Sequence, residues 1–168
     1  MPKRLWIGMV LLGACARLAP HPWNFTPLIA LALFSGSHAR KAATGVFVTL
    51  LALALSDAVM GFYHGFWYVY AAALVPVLLG RLIGDRPGAR SIALAAVASS
   101  LSFFLITNFM VWAGGRMYPH TPAGLTACFV AALPFYQNQL LGDAFYTVAL
   151  FGGYALIRSR LEPARQPA

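Results

Sequence analysis

Six apolar runs, at positions 5–18, 25–37, 42–62, 65–84, 91–115 and 121–157, take up most of the 168 residues and leave only short polar joints between them. Crossing a hydrocarbon core of about 30 Å takes roughly 20 helical residues at about 1.5 Å each. The pattern therefore predicts an all-α integral membrane protein of about six short transmembrane helices. One transmembrane domain is expected over 1–160, with a short cytoplasmic tail over 161–168. Only 10% of the residues are charged and 60% are hydrophobic, whereas roughly a quarter of a soluble domain is charged. The first two runs, of 14 and 13 residues, are short for spans and are read as spans or as a shallow, re-entrant hairpin. The last run is long enough to hold a half-helix ahead of a full span.

The net charge of +8 does not point to nucleic acid, because the basic residues sit singly or in pairs between apolar runs rather than on one polar surface. With six spans, Lys3, Arg4, Arg40, Lys41, Arg81, Arg86, Arg90, Arg158, Arg160 and Arg165 fall on one side, and only Arg17 and Arg116 on the other. By the positive-inside rule both termini are expected in the cytoplasm.

Lys3 and Arg4, an apolar stretch and then Leu12-Gly13-Ala14-Cys15 also fit a lipoprotein signal ending in a lipidated cysteine. An uncleaved first helix is the preferred reading. Cys15 and Cys128 lie inside apolar runs and have neither a CxxC nor a metal-ligand spacing, so neither a disulfide nor a zinc site is expected.

In this orientation the outer ends collect polar groups: Arg17, His21 and Asn24 in the first loop, Asp57, Tyr63 and His64 at the second, Arg116, Tyr118 and His120 at the third. Gln137, Asn138, Gln139 and Asp143 come after Pro134 and are expected near the outer leaflet. Ionisable groups in hydrocarbon are costly, so Asp57 and Asp143 need partners or a wet cavity. Two readings stand for each: a structural role, capping a helix or pairing with Arg17 or Arg116, or a place in an outward-opening ligand pocket. Phe62, Tyr63, Phe66, Trp67, Tyr68, Tyr70, Trp23, Trp112 and Tyr118 divide in the same way between an aromatic belt and pocket walls. Thr121-Pro122 reads as an N-cap and first helical position, giving a helix whose positive end faces outward. Ser91, Ala95 and Ser99, flanked by Ala96 and Ser100, offer a smooth packing face. Thr107 and Asn108 are placed to reach a central site, an interhelical hydrogen bond being the alternative for Asn108.

No phosphate loop, His-Glu-x-x-His run or Gly-x-Ser-x-Gly elbow is present, so no enzyme and no cofactor are expected. A residual enzyme reading, with His64 or His120 as a base beside Asp57 and Cys128 as nucleophile, has no recognisable arrangement behind it.

Taken together, Pro20-His21-Pro22-Trp23-Asn24-Phe25-Thr26-Pro27, Ser56-Asp57, Thr107-Asn108-Phe109 with Trp112, Tyr118-Pro119, Pro134-Phe135 and Gly142-Asp143 resemble an uncharacterised family of small bacterial inner-membrane proteins. The plan is similar to the substrate-binding S-components of energy-coupling-factor vitamin transporters, the solitary cobalamin type BtuM in particular. That resemblance implies a multi-pass inner-membrane uptake protein. It would bind a vitamin- or cofactor-like solute at its outer face, then close its loops and rearrange to release it inside. The cysteine that holds cobalt in the BtuM type has no counterpart between Asp57 and Leu79, which leaves His64 as a replacement ligand for a corrinoid. The Ala-x-x-x-Ala docking face is missing from the first run, so a transporter partner subunit is optional. The expected pocket residues are His21, Asn24, Asp57, Tyr63, His64, Asn108, Trp112, Tyr118, Asn138 and Asp143; the expected partners are lipid and a small solute. The alternative is a structural or accessory subunit of a larger membrane complex, whose polar cluster is internal glue.

Overall fold

The computed structural model describes residues 3–161 of the chain; the expected tail lies outside the described residues beyond its first position. Among the described residues all regular structure is helical. The elements are α1 (Lys3–Leu18), α2 (Leu28–His38), α3 (Ala42–Met60), α4 (Phe66–Ala72), α5 (Leu74–Ile83), α6 (Ala89–Gly114), α7 (Pro122–Thr147) and α8 (Gly153–Leu161). A five-residue π-helical stretch, Val148–Gly152, joins α7 to α8 without a break. Four helical spans are long and apolar enough to cross a membrane: Ala42–Met60, Phe66–Ile83, Ala89–Gly114 and Pro122–Arg160.

The helix ends arise from local chemistry. Thr121 caps α7, its Oγ1 accepting from Gly124 N at 3.1 Å, with Pro122 in the first turn, as the sequence predicts. Pro76 has no N–H to give to the Ala72 carbonyl, which accounts for the step between α4 and α5 at Ala73. α1 runs unbroken through Cys15 to Leu18.

α2 is the axis of the molecule. Its first ten residues, Leu28 to Ser37, are all buried, and it packs against α5, α3, α7 and α6. Eleven residues extend only about 16 Å, half of a hydrocarbon core. Other helices enclose it, as so short a helix requires wherever lipid is the solvent. Its closest neighbour is α5, where a side chain on Gly36 would collide with the Val77 carbonyl and one on Gly80 with the Leu33 carbonyl. Both positions bring backbone onto backbone, as small residues do between membrane helices.

Since α2 ends beside the start of α3, its first turn lies about 16 Å in from that end of the bundle. The segment 19–27 therefore turns back inward after α1. Phe25 stacks near Phe145 and Tyr146, with ring centroids 6.0 and 5.7 Å away, and Gly142 leaves room for the Phe25–Thr26 backbone. The first two runs are thus a helix, a non-helical stretch that turns into the bundle and a half-length helix.

Candidate functional site

The dip between α1 and α2 leaves a cavity of about 230 Å³ lined by Arg17, Asn24, Thr26, Leu28, Ile29, Tyr63, Val69, Phe103, Thr107 and Gln139. α1 supplies Arg17, the dipping segment supplies Asn24 and Thr26, and the first turn of α2 supplies Leu28 and Ile29. The α3–α4 turn contributes Tyr63. Asn24 has φ +63°, the left-handed region that Asn tolerates better than most residues. Thr26 N donates to Asn24 O at 3.0 Å and Phe25 N to Pro22 O at 3.0 Å, so the segment is tightly folded.

The electrostatics of the cavity centre on Arg17. Its Nη2 donates to Asp57 Oδ1 at 2.9 Å, and Tyr70 Oη donates to Asp57 Oδ2 at 3.0 Å. Asp57 is fully buried and both its oxygens are engaged, so it does not line the cavity: it holds the arginine. Arg17 Nη1 is buried too and has no hydrogen-bond partner among the described residues. A guanidinium nitrogen left without an acceptor in a low-dielectric site attracts an anionic or strongly accepting group. α2 adds to this, because Pro27 at its N-cap provides no side-chain cap and the positive end of the helix dipole meets the cavity. Burial, then the neighbouring Asp57 carboxylate, pushes the Tyr63 phenol above its ordinary pKa. Tyr63 therefore stays a neutral donor at the rim.

Of the ten expected pocket residues, Asn24 and Tyr63 line this cavity and Asp57 stands directly behind it. His21 folds back on its own loop, its ring nitrogens 2.8 Å from Pro22 O and 3.2 Å from Arg17 O. His64 lies in a separate 480 Å³ cleft with Trp67, Tyr68, Met110, Arg116 and Met117. The three outer turns therefore do not converge on one site: the α6–α7 turn belongs to the second cleft. Trp112 Nε1 donates to Pro119 O at 2.9 Å and braces that turn. Tyr118 and Asn138 are half-buried and line neither cavity. Asn108 Nδ2 donates to Phe104 O on its own helix at 2.8 Å, which corrects both expectations for it: the amide neither bridges helices nor enters the cavity.

Asp143 lies close to the α2 N-terminus, where Gly142 meets the Phe25–Thr26 backbone, and is only 2% exposed. Ser100 and Gln139 stand beside its carboxyl group, and Oδ2 has no partner among the described residues. Gln139 Nε2 also donates to Ser100 O and Ser100 Oγ, each at 3.0 Å. Because Gln139 lines the cavity floor, this polar group on α6 and α7 adjoins the cavity from below. Arg17 and Gln139 are the functional candidates missing from the expected set. The signal for Arg17 is its place among the two basic residues expected on the outer side.

A family model matches residues 3–165, nearly the whole chain. The chain belongs to the family of unknown function DUF6580. Membership agrees with the resemblance to an uncharacterised family drawn from the proline, Asn-Phe and Gly-Asp signatures. Among curated proteins and among solved structures there is no match.

Proposed function

We propose that this DUF6580 member is a multi-pass protein of the bacterial inner membrane, with both ends in the cytoplasm, that binds a small anionic solute from the outer side for uptake. One observation carries the reading: Arg17, whose buried Nη1 has no partner among the described residues, and the uncapped first turn of α2 line the same cavity. Half-length helices that present a positive end to a substrate near the membrane midplane, beside non-helical backbone, are a recurrent device of membrane transporters. The fixed Asp57–Tyr70 support preorganises the guanidinium, so binding costs little reordering of that side chain.

Size narrows the solute. The cavity of about 230 Å³ is below the roughly 300–1,000 Å³ of sites for drug-sized ligands. A carboxylate or phosphate ester with few heavy atoms fits; a corrin macrocycle does not, and His64 sits in the other cleft. The S-component likeness supplies the transport step, in which the dipping segment and the α3–α4 turn close over the solute before release inside.

The test is native mass spectrometry of the detergent-purified protein, alongside Arg17→Lys and Thr107→Leu variants. Arg17→Lys keeps the charge opposite Asp57 but loses the fork, and Thr107→Leu fills the cavity. A small acidic adduct on the wild type, absent from both variants, supports the proposal. A wild type carrying no small adduct, or one that always brings down a fixed protein partner, overturns it in favour of an accessory subunit.

A further inference from the structure

We infer that the end of the bundle opposite the Arg17 cavity carries a specific site for one anionic phospholipid. Two voids meet there. The first, about 340 Å³, is polar and holds His38, Asp85, Arg86, Tyr154 and Arg158. The second, about 560 Å³, is an apolar groove between α6 and the α7–π–α8 helix, walled by small residues such as Ala93, Ala96, Ala144 and Gly152. Pro87, Ile92, Phe151 and Ala155 line both, so the two are continuous.

A ligand that fills both voids has an anionic head and a long apolar tail. The head faces Arg86 and Arg158, with the half-buried His38 ring held in place by stacking on Phe34 at 4.2 Å and edge-on Tyr154 at 4.6 Å. The position also fits a lipid. Arg81 donates to Ala39 O at 2.9 Å, and Arg40, Lys41 and Arg90 crowd the same end, so the polar void is at the membrane surface and the groove runs from it toward mid-depth. Residues Ala89 to Val97 cover about 12 Å of that depth. Val97 and Val148, 54% and 73% exposed, flank the groove, so it opens sideways to the bilayer and an acyl chain enters without passing through water. Basic pockets between helix ends are a recognised way of holding acidic headgroups. The π-helical stretch helps to form the groove, shifting the α7 side chains out of α-helical register where the tail lies.

The experiment is a titration of the delipidated full-length protein with phosphatidylglycerol, phosphatidylcholine or inorganic phosphate, read by native mass spectrometry. Phosphatidylglycerol is expected to bind one to one and to outcompete phosphatidylcholine. The double variant Arg86→Gln/Arg158→Gln should weaken it about tenfold or more, while Arg90→Gln, which lines neither void, leaves it within about twofold. Ala93→Phe, an exposed position that fills the groove, should abolish one-to-one binding while leaving thermal stability unchanged, which separates tail binding from charge attraction. Equal affinity for the two lipids, or binding insensitive to Ala93→Phe, overturns the proposal. Inorganic phosphate that binds and displaces the lipid headgroup at similar concentration does so as well, by showing a simple phosphate site.

Discussion

Arg17 and Asp57 show how one pair of residues divides between support and function. A buried ion pair gains little over a hydrophobic pair, but removing one partner is costly because the other charge is stranded. Asp57 is wholly buried and the Arg17 side chain 13% exposed, so Arg17→Gln is expected to destabilise the protein by about 3 kcal/mol. Asp57→Asn should cost somewhat less, since the amide oxygen still accepts from Tyr70. The double variant should cost clearly less than the sum, and a double-mutant cycle on thermal unfolding in detergent measures the coupling. Additive costs would mean that the two residues act independently. The pairing is legible in the sequence, because a buried acid needs a partner and Arg17 is one of two candidates on that side. That one guanidinium nitrogen stays free is not legible there, since it depends on where α2 begins relative to α1.

At the scale of elements, α2 is an 11-residue helix that survives because it is enclosed. Its shortness is legible from the run at 25–37, but the sequence treats the first two runs alike. Only packing reveals that α2 is central and α1 peripheral, with Ile7 and Leu11 of α1 60% and 53% exposed. The depth of Asp143 is hidden for a related reason. A proline at position 134 suggests a break that would leave Asp143 near the outer surface, whereas α7 continues through Pro134 as one helix and carries Asp143 to the middle of the bundle. Enclosure has a sharp consequence at Gly36 and Gly80, where the α2 and α5 backbones touch. Gly36→Ala should destabilise by about 1–3 kcal/mol or more, the cost of overpacking, and Gly36→Val by more still. Gly8→Ala on α1, where nothing lies within 4 Å, should instead stabilise by up to about 1 kcal/mol through helix propensity. Thermal melting of the two alanine variants tests this by its sign: a stable Gly36→Ala would mean that α2 and α5 are not held backbone to backbone.

For the whole molecule, the two proposed sites divide by membrane face, so function depends on orientation. Arg40, Arg81, Arg86, Arg90 and Arg158 gather where α2 ends, and Arg17 and Arg116 lie toward the opposite end. By the positive-inside rule the first group is expected to face the cytoplasm; the Arg17 cavity would then meet solute from outside, and the lipid groove would lie in the inner leaflet. In a Cys15→Ala/Cys128→Ala background, Met117→Cys places a thiol on the exposed α6–α7 turn, Met117 being 76% exposed. Gly88→Cys places one just before α6, where a side chain meets nothing within 4 Å. A membrane-impermeant maleimide added to intact cells should label Met117→Cys and reach Gly88→Cys only after the membrane is opened. The reverse pattern would turn the Arg17 cavity to the cytoplasm, which removes uptake from outside as its use. The lipid site would survive that result in the other leaflet, since its two voids and their charges do not depend on which way the bundle points.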